Sequence, residues 1–241
     1  MTQYQSHDID KIFGKRHLSF TILTDLSCFV LPNPKYQEIL KRLGFDIRET
    51  DQYNPINEED YRSIRRQIAR LLLTPNFEIS YHIRENLKKF TQRPIVGVQV
   101  RTGGYISTTV ETHRFLHLSS LSNVDKEIDL AVKKYNWNND SLKLFLTTDS
   151  GVVNRRMYTV YGENRIIEGE GYPSGHSSAY LAPGPKHYRF LKRAIMDLVL
   201  LSQCDYILYT HGSSYGKLAM RLSYNVPSRA ICRSDLCTPF S

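Results

Sequence analysis

The distribution of apolar and polar positions changes character once along the chain. Residues 1–34 are irregular, with an apolar stretch from Leu18 to Leu31 broken by Asp25. Lys35–Leu43 reads as a short helix stopped by Gly44, and Asp51–Ile56 as a loop. Asn57 is a helix cap, with Glu58, Glu59 and Asp60 in the first turn, where the helix dipole favours acids. Tyr61, Ile64, Ile68 and Leu71 follow at helical spacing. Thr74-Pro75 restarts the pattern, with Thr74 as cap and Pro75 at the first helical position. Ile79, Ile83, Leu87 and Phe90 line one face.

From Pro94 the texture is different. Ile95–Val100 is a β-branched run closed by Arg101 and two glycines, the pattern of a strand buried on both faces of a parallel sheet. A helix is predicted over 124–135, a strand over 142–146 and a short strand over 165–167. Tyr188, Leu191, Ile195, Leu198 and Leu201 then mark a long amphipathic helix. A strand over 206–209, a helix over 215–222 and a strand over 226–231 complete the series. Strands alternating with helices predict βαβ units. The expected fold class is α/β: a Rossmann-like parallel sheet with helices on both faces over 94–241, and a partly helical N-terminal region over 1–93.

Composition narrows the function classes. With 41% hydrophobic and 23% charged residues, the 241-residue chain is not disordered. The net charge of +8 favours an anionic partner, but it is spread as +3 over 1–93 and +5 over 94–241. There is no run of five or six like charges, so nucleic acid is not the expected partner. No run of ~18 apolar residues suits a membrane span, and the polar N-terminus has no signal core. Four cysteines are too few for a disulfide scaffold; Cys232 and Cys237 either pair or stay free thiols. Their spacing with His fits no zinc pattern, and no structural metal is expected.

In an open α/β sheet, ligands bind beyond the carboxyl ends of the strands. Three strand ends carry polar clusters: Gln99 with Arg101-Thr102-Gly103-Gly104, Thr147-Thr148-Asp149-Ser150, and Thr210-His211-Gly212-Ser213-Ser214-Tyr215. Arg101 offers a donor fork that matches phosphate oxygens, or else it pairs with a carboxylate. Gly103 would let the backbone approach a ligand. Ser213 and Ser214 precede a helix, as an anion site or as an ordinary cap. Asp149 would bond a guanine edge or a ribose, or cap the helix beginning near Gly151. No G-x-x-x-x-G-K, G-x-G-x-x-G or G-x-S-x-G is present, which weakens ATPase, GTPase, dehydrogenase and esterase readings.

In this order and spacing the clusters resemble the fucosyltransferase superfamily, which includes α1,6-, α1,2-, nodulation-type, plant cell-wall and protein O-fucosyltransferases. Val96-Gly97-Val98-Gln99-Val100-Arg101 is similar to its hydrophobic-Gly-Val-(His or Gln)-hydrophobic-Arg strand. Leu146-Thr147-Thr148-Asp149-Ser150 resembles its Ala-Thr-Asp-(Asp or Ser) segment, and the stretch Leu198–Ala219 resembles its Leu-Ser … Ser-Ser segment. Leu73-Thr74-Pro75-Asn76 resembles the lead-in to the first strand, so the likeness covers about residues 70–231.

The resemblance implies the donor-binding half of a GT-B enzyme: inverting, metal-independent and without a cofactor. It implies GDP-fucose as donor and a glycan or protein hydroxyl as acceptor. It places Arg101 on the donor pyrophosphate and Gln99 near the base or ribose. Asp149 and Ser150 would lie on guanine, and Ser213, Ser214 and Tyr215 on the phosphates. Thr102, Gly103, Thr148 and Gly212 complete the implied substrate-binding set. Glu111, on the loop after Arg101, is the candidate general base or else a solvated surface carboxylate. Two departures stand out. Thr102-Gly103-Gly104 replaces the family's charged residues after the Arg, and Gly14-Lys15-Arg16 does not match the Gly-Asn-Arg type motif of the other half. An inactive nucleotide-binding remnant and a basic Rossmann-like interaction protein are the alternative expectations. Eukaryotic relatives act in the secretory lumen behind an anchor; without one here, lumen and cytoplasm both stay open.

Overall fold

The structure, a computed structural model, describes residues 75–103, 115–173, 185–223 and 226–233, without the side chains of 185–188. All belong to one compact unit lying within residues 70–241. The helices expected over 35–43 and 57–71 lie outside the described residues, as do Gly104 and Glu111.

The described elements in chain order are α1 (Phe77–Leu87), β1 (Ile95–Val100), α2 (Ser122–Tyr135), β2 (Lys143–Thr148), α3 (Gly151–Tyr161), β3 (Ile166–Ile167), α4 (Pro185–Leu201), β4 (Tyr206–Thr210), α5 (Ser214–Leu222) and β5 (Ser228–Ile231). The strands form one parallel five-stranded sheet in the order β3-β2-β1-β4-β5. The chain builds outward from β1 to β3, then crosses back to β4 and continues to β5. The topological switch therefore lies between β1 and β4.

Alternation along the strands sorts the helices by face. Val96, Val98, Val100, Leu144, Leu146 and Leu208 point to one side. There they pack with Val124, Ile128 and Ala131 of α2 and with Val153 and Met157 of α3. On the other side, Gly97 lies against Leu201 and Cys204 at the end of α4, and Tyr209 against Gly216 of α5. A Cβ at Gly97 would come within 2.6 Å of Leu201 Cδ1 and 2.9 Å of Cys204 Sγ, so a larger residue here would force these side chains to shift. The two faces make β1 buried at all six positions, which is why its sequence shows no alternation. Each fully buried aliphatic side chain contributes about 1.5–3 kcal/mol.

α4 is a wedge rather than a one-sided helix. Leu198 and Leu201 are buried as the apolar spacing predicts, and so are Met196, Leu200, Arg193 and Asp197. The reason is that α1 covers its outer side. Asn86 of α1 ties down the segment after β3, donating to the Glu170 carbonyl at 3.0 Å and accepting its N–H at 2.8 Å. The Tyr172 hydroxyl donates to Glu78 of α1 at 2.9 Å.

Two local expectations are corrected. α1 is capped by Asn76, whose side chain accepts the Ile79 N–H at 3.0 Å, and it starts at Phe77 rather than at Pro75. Phe90 lies beyond its last turn, buried against Phe145 with ring centroids 5.5 Å apart. Cys232 is disulfide-bonded and Cys204 is a buried free thiol.

Candidate functional site

Parallel pairing brings the carboxyl ends of β1, β2 and β4 to one rim. Val100 pairs with Thr148, and Gln99 with Tyr209, so Arg101 emerges beside Asp149 on one flank and Thr210 on the other. Its backbone N–H donates to Thr210 Oγ1 at 2.9 Å, and its carbonyl accepts the Leu116 N–H at 3.1 Å. The guanidinium carbon stands 4.7 Å from the centre of the Phe115 ring, a cation–π distance. Nη1 lies 3.8 Å from Asp149 Oδ2. The Arg101 side chain keeps 21% exposure, so part of it remains open to solvent.

Asp149 turns toward β1. Its Oδ1 accepts the Thr102 N–H at 2.9 Å and the Thr102 hydroxyl at 3.2 Å. Its Oδ2 accepts the Gly103 N–H at 3.2 Å. Gly103 has φ +88°, the left-handed region that favours glycine. Thr148 Oγ1 accepts the Ser150 N–H at 3.2 Å. The side chain that caps α3 is Ser150, which accepts from Val153 N–H at 3.5 Å; Asp149 does not cap it.

The third cluster is organised by α5. Gly212 turns the chain with φ +79°. Ser213 is buried and caps the helix, its Oγ accepting the Gly216 N–H at 3.2 Å. Ser214 is exposed at the first helical position. The Tyr215 hydroxyl donates to the Ala194 carbonyl of α4 at 2.8 Å, locking α5 to α4. Gln99 is only 4% exposed, and its Oε1 accepts the Thr210 N–H at 3.2 Å beneath the rim.

The structure thus brings Arg101, Thr102, Gly103 and Asp149 into direct contact, with Thr148 and Ser150 next to Asp149. Gly212, Ser213 and Ser214 stand at the neighbouring β4 end. Gln99 and Tyr215 are engaged within the fold, and Glu111 lies outside the described residues. Two contributors were not singled out by sequence reasoning. Thr210 sits inside its cluster with no signal of its own, and Phe115 follows residues 104–114, whose sequence shows no periodic pattern.

No protein-family model and no curated protein sequence matches the chain. Among solved structures, it is similar to the fucosyltransferase NodZ from Bradyrhizobium, at 20% identity and a TM-score of 0.42, over 78% of this chain and 58% of that one. NodZ α-1,6-fucosyltransferase co-crystallised with GDP gives 20% identity and a TM-score of 0.43 over the same shares. POFUT1 in complex with GDP gives 11% identity and a TM-score of 0.42, over 84% of this chain and 69% of that one. The chain therefore spans less than two thirds of the NodZ chains. At such identities the roles of individual residues rest on this chain's own geometry. These solved structures are fucosyltransferases, the group that the strand-end motifs resemble.

Proposed function

We propose that the domain over 94–231 binds the donor of a glycosyltransferase that moves fucose from GDP-fucose to a glycan or protein hydroxyl, with inversion and without a metal. The observation that carries this reading is Arg101 at the β1/β4 switch point. Crevices at such points are where open α/β sheets take nucleotides. Two helix N-termini, those of α3 and α5, open on the same rim, and each concentrates partial positive charge and backbone N–H groups.

The chemistry follows from charge. Breaking the sugar–phosphate bond leaves negative charge on the departing diphosphate. A cation fixed before the reaction stabilises that charge without reorganising. Arg101 is held at its backbone by Thr210 and at its head by Phe115 and Asp149, so it meets this requirement. Ser214 and the turn at Gly212 are exposed past the end of the neighbouring β4, where hydroxyl and backbone donors would contact phosphate oxygens. The acceptor hydroxyl must lose a proton as it attacks, and Glu111 is the proposed base.

Calorimetry with GDP tests the donor site. Binding that is competed by GDP-fucose supports the reading, and no heat at millimolar GDP with folded protein removes it. Release of GDP from GDP-fucose on a panel of glycan and protein acceptors then distinguishes transfer from binding alone.

A further inference from the structure

We propose that Asp149 is a positioning residue: it holds the turn 101–103, and through that turn the Arg101 guanidinium, in the shape that receives a diphosphate. This rests on the donor reading above and departs from the guanine contact that the motif resemblance implies.

Thr102 and Gly103 present two successive N–H groups, and Gly103 sits at φ +88°. Consecutive N–H groups in such a turn form a concavity that attracts an anion. Here the concavity is filled by the protein's own carboxylate. Oδ1 takes the Thr102 N–H and hydroxyl, and Oδ2 takes the Gly103 N–H. The Asp149 side chain is only 7% exposed, so little of it is presented to a ligand.

The same carboxylate lies 3.8 Å from Arg101 Nη1, too long for a hydrogen bond but close enough to orient a cation. With Phe115 against the guanidinium, the head is fixed between a ring and a charge. An incoming diphosphate is then met by Arg101 and the α5 terminus, because the turn's N–H groups are already taken.

An Asn at this position would carry an N–H where Asp149 has an acceptor, and it would remove the charge. Thr102→Val removes only the hydroxyl donor. The test measures the affinities of GDP and inorganic pyrophosphate by calorimetry for the wild type, Asp149→Asn and Thr102→Val. It adds amide hydrogen exchange on the ligand-free proteins, with Val98 as an internal reference. Asp149→Asn is expected to weaken both ligands by the same factor, about tenfold or more, and Thr102→Val by about two- to threefold. Exchange at Thr102 and Gly103 should rise about tenfold in Asp149→Asn while Val98 is unchanged. A loss confined to GDP, with pyrophosphate binding intact, overturns the proposal in favour of a base contact. Unchanged exchange at Thr102 and Gly103 overturns it as well. A wild type that binds neither ligand, with exchange still rising in the variant, ends the donor reading and supports Asp149 as the strut of the turn.

Discussion

The hydroxyl of Thr210 accepts the backbone N–H of Arg101 at 2.9 Å. It also donates to the Gln99 carbonyl at 3.3 Å, and the residue is 1% exposed. The β1/β4 pairing runs out at Gln99 and Tyr209, so a side chain takes over where the backbone ladder stops. Thr210→Val keeps the shape and leaves both backbone groups without this partner. We expect a loss of about 1–3 kcal/mol in urea unfolding, largely restored in Thr210→Ser. Wild-type stability in the Val variant would refute the bridging role.

Arg101 supplies charge and a fork geometry together. Arg101→Ala should lower turnover of GDP-fucose by about 10²–10³-fold, as for removal of one preorganised donor from a transition-state site. Arg101→Lys keeps the charge as a point and loses the planar fork, so its activity should fall between the two. Unfolding free energy should fall by only about 1 kcal/mol, the loss of the Phe115 stacking and of the Asp149 ion pair. The readout is GDP release, with unfolding curves run alongside. Equal turnover in wild type and Arg101→Ala would remove Arg101 from the mechanism.

The positions of these residues were legible in the sequence; several of their contacts were not. The β-branched run ending at Arg101 located β1, and the Thr-Thr-Asp-Ser and Gly-Ser-Ser clusters located the ends of β2 and β4, because buried parallel strands leave polar residues only where they emerge. The capping roles were less legible, since adjacent residues compete. Thr74 and Asn76 are both good caps, as are Asp149 and Ser150, and a shift of one or two residues in where the chain turns decides between them. The burial of Gln99 depends on Gly216, more than a hundred positions away, leaving room for its amide. No local pattern carries that information.

That long-range fit gives a further test. Ala usually stabilises a helix relative to Gly by up to about 1 kcal/mol. In α5, a Cβ at Gly216 would stand 2.4 Å from Tyr209 Cβ and 2.8 Å from Gln99 Oε1. Tyr209 Cβ is fixed to the strand, so the helix must move. Gly216→Ala should therefore destabilise by about 1–3 kcal/mol. Gly151→Ala is the control, because its Cβ would meet only Arg155 Nη1, at 3.9 Å. It should be neutral or mildly stabilising in urea titrations. A Gly216→Ala protein as stable as the control would contradict the tight α5–sheet contact.

Asp197 gives the domain a pH dependence that can be worked out in sign. It lies buried in α4, with Arg193 Nε donating to Oδ2 at 2.6 Å and no hydrogen bond to Oδ1. Burial pushes its carboxyl up to about 6; the Arg193 charge pulls the other way by less, and Glu168 adds to the rise. An unfolded Asp titrates near ~3.9. Between these values the native state holds a proton that the unfolded state has lost. The contribution of Asp197 to stability is thus greatest below about pH 4, falls as pH rises toward 6, and is level above it. Asp197→Asn cannot titrate. The unfolding free energy of wild type minus that of Asp197→Asn should therefore decline across this window and then stay flat. Urea midpoints for both proteins, taken at intervals across that range, measure the difference. A difference that rises with pH would mean that the Arg193 ion pair, rather than burial, governs this carboxylate.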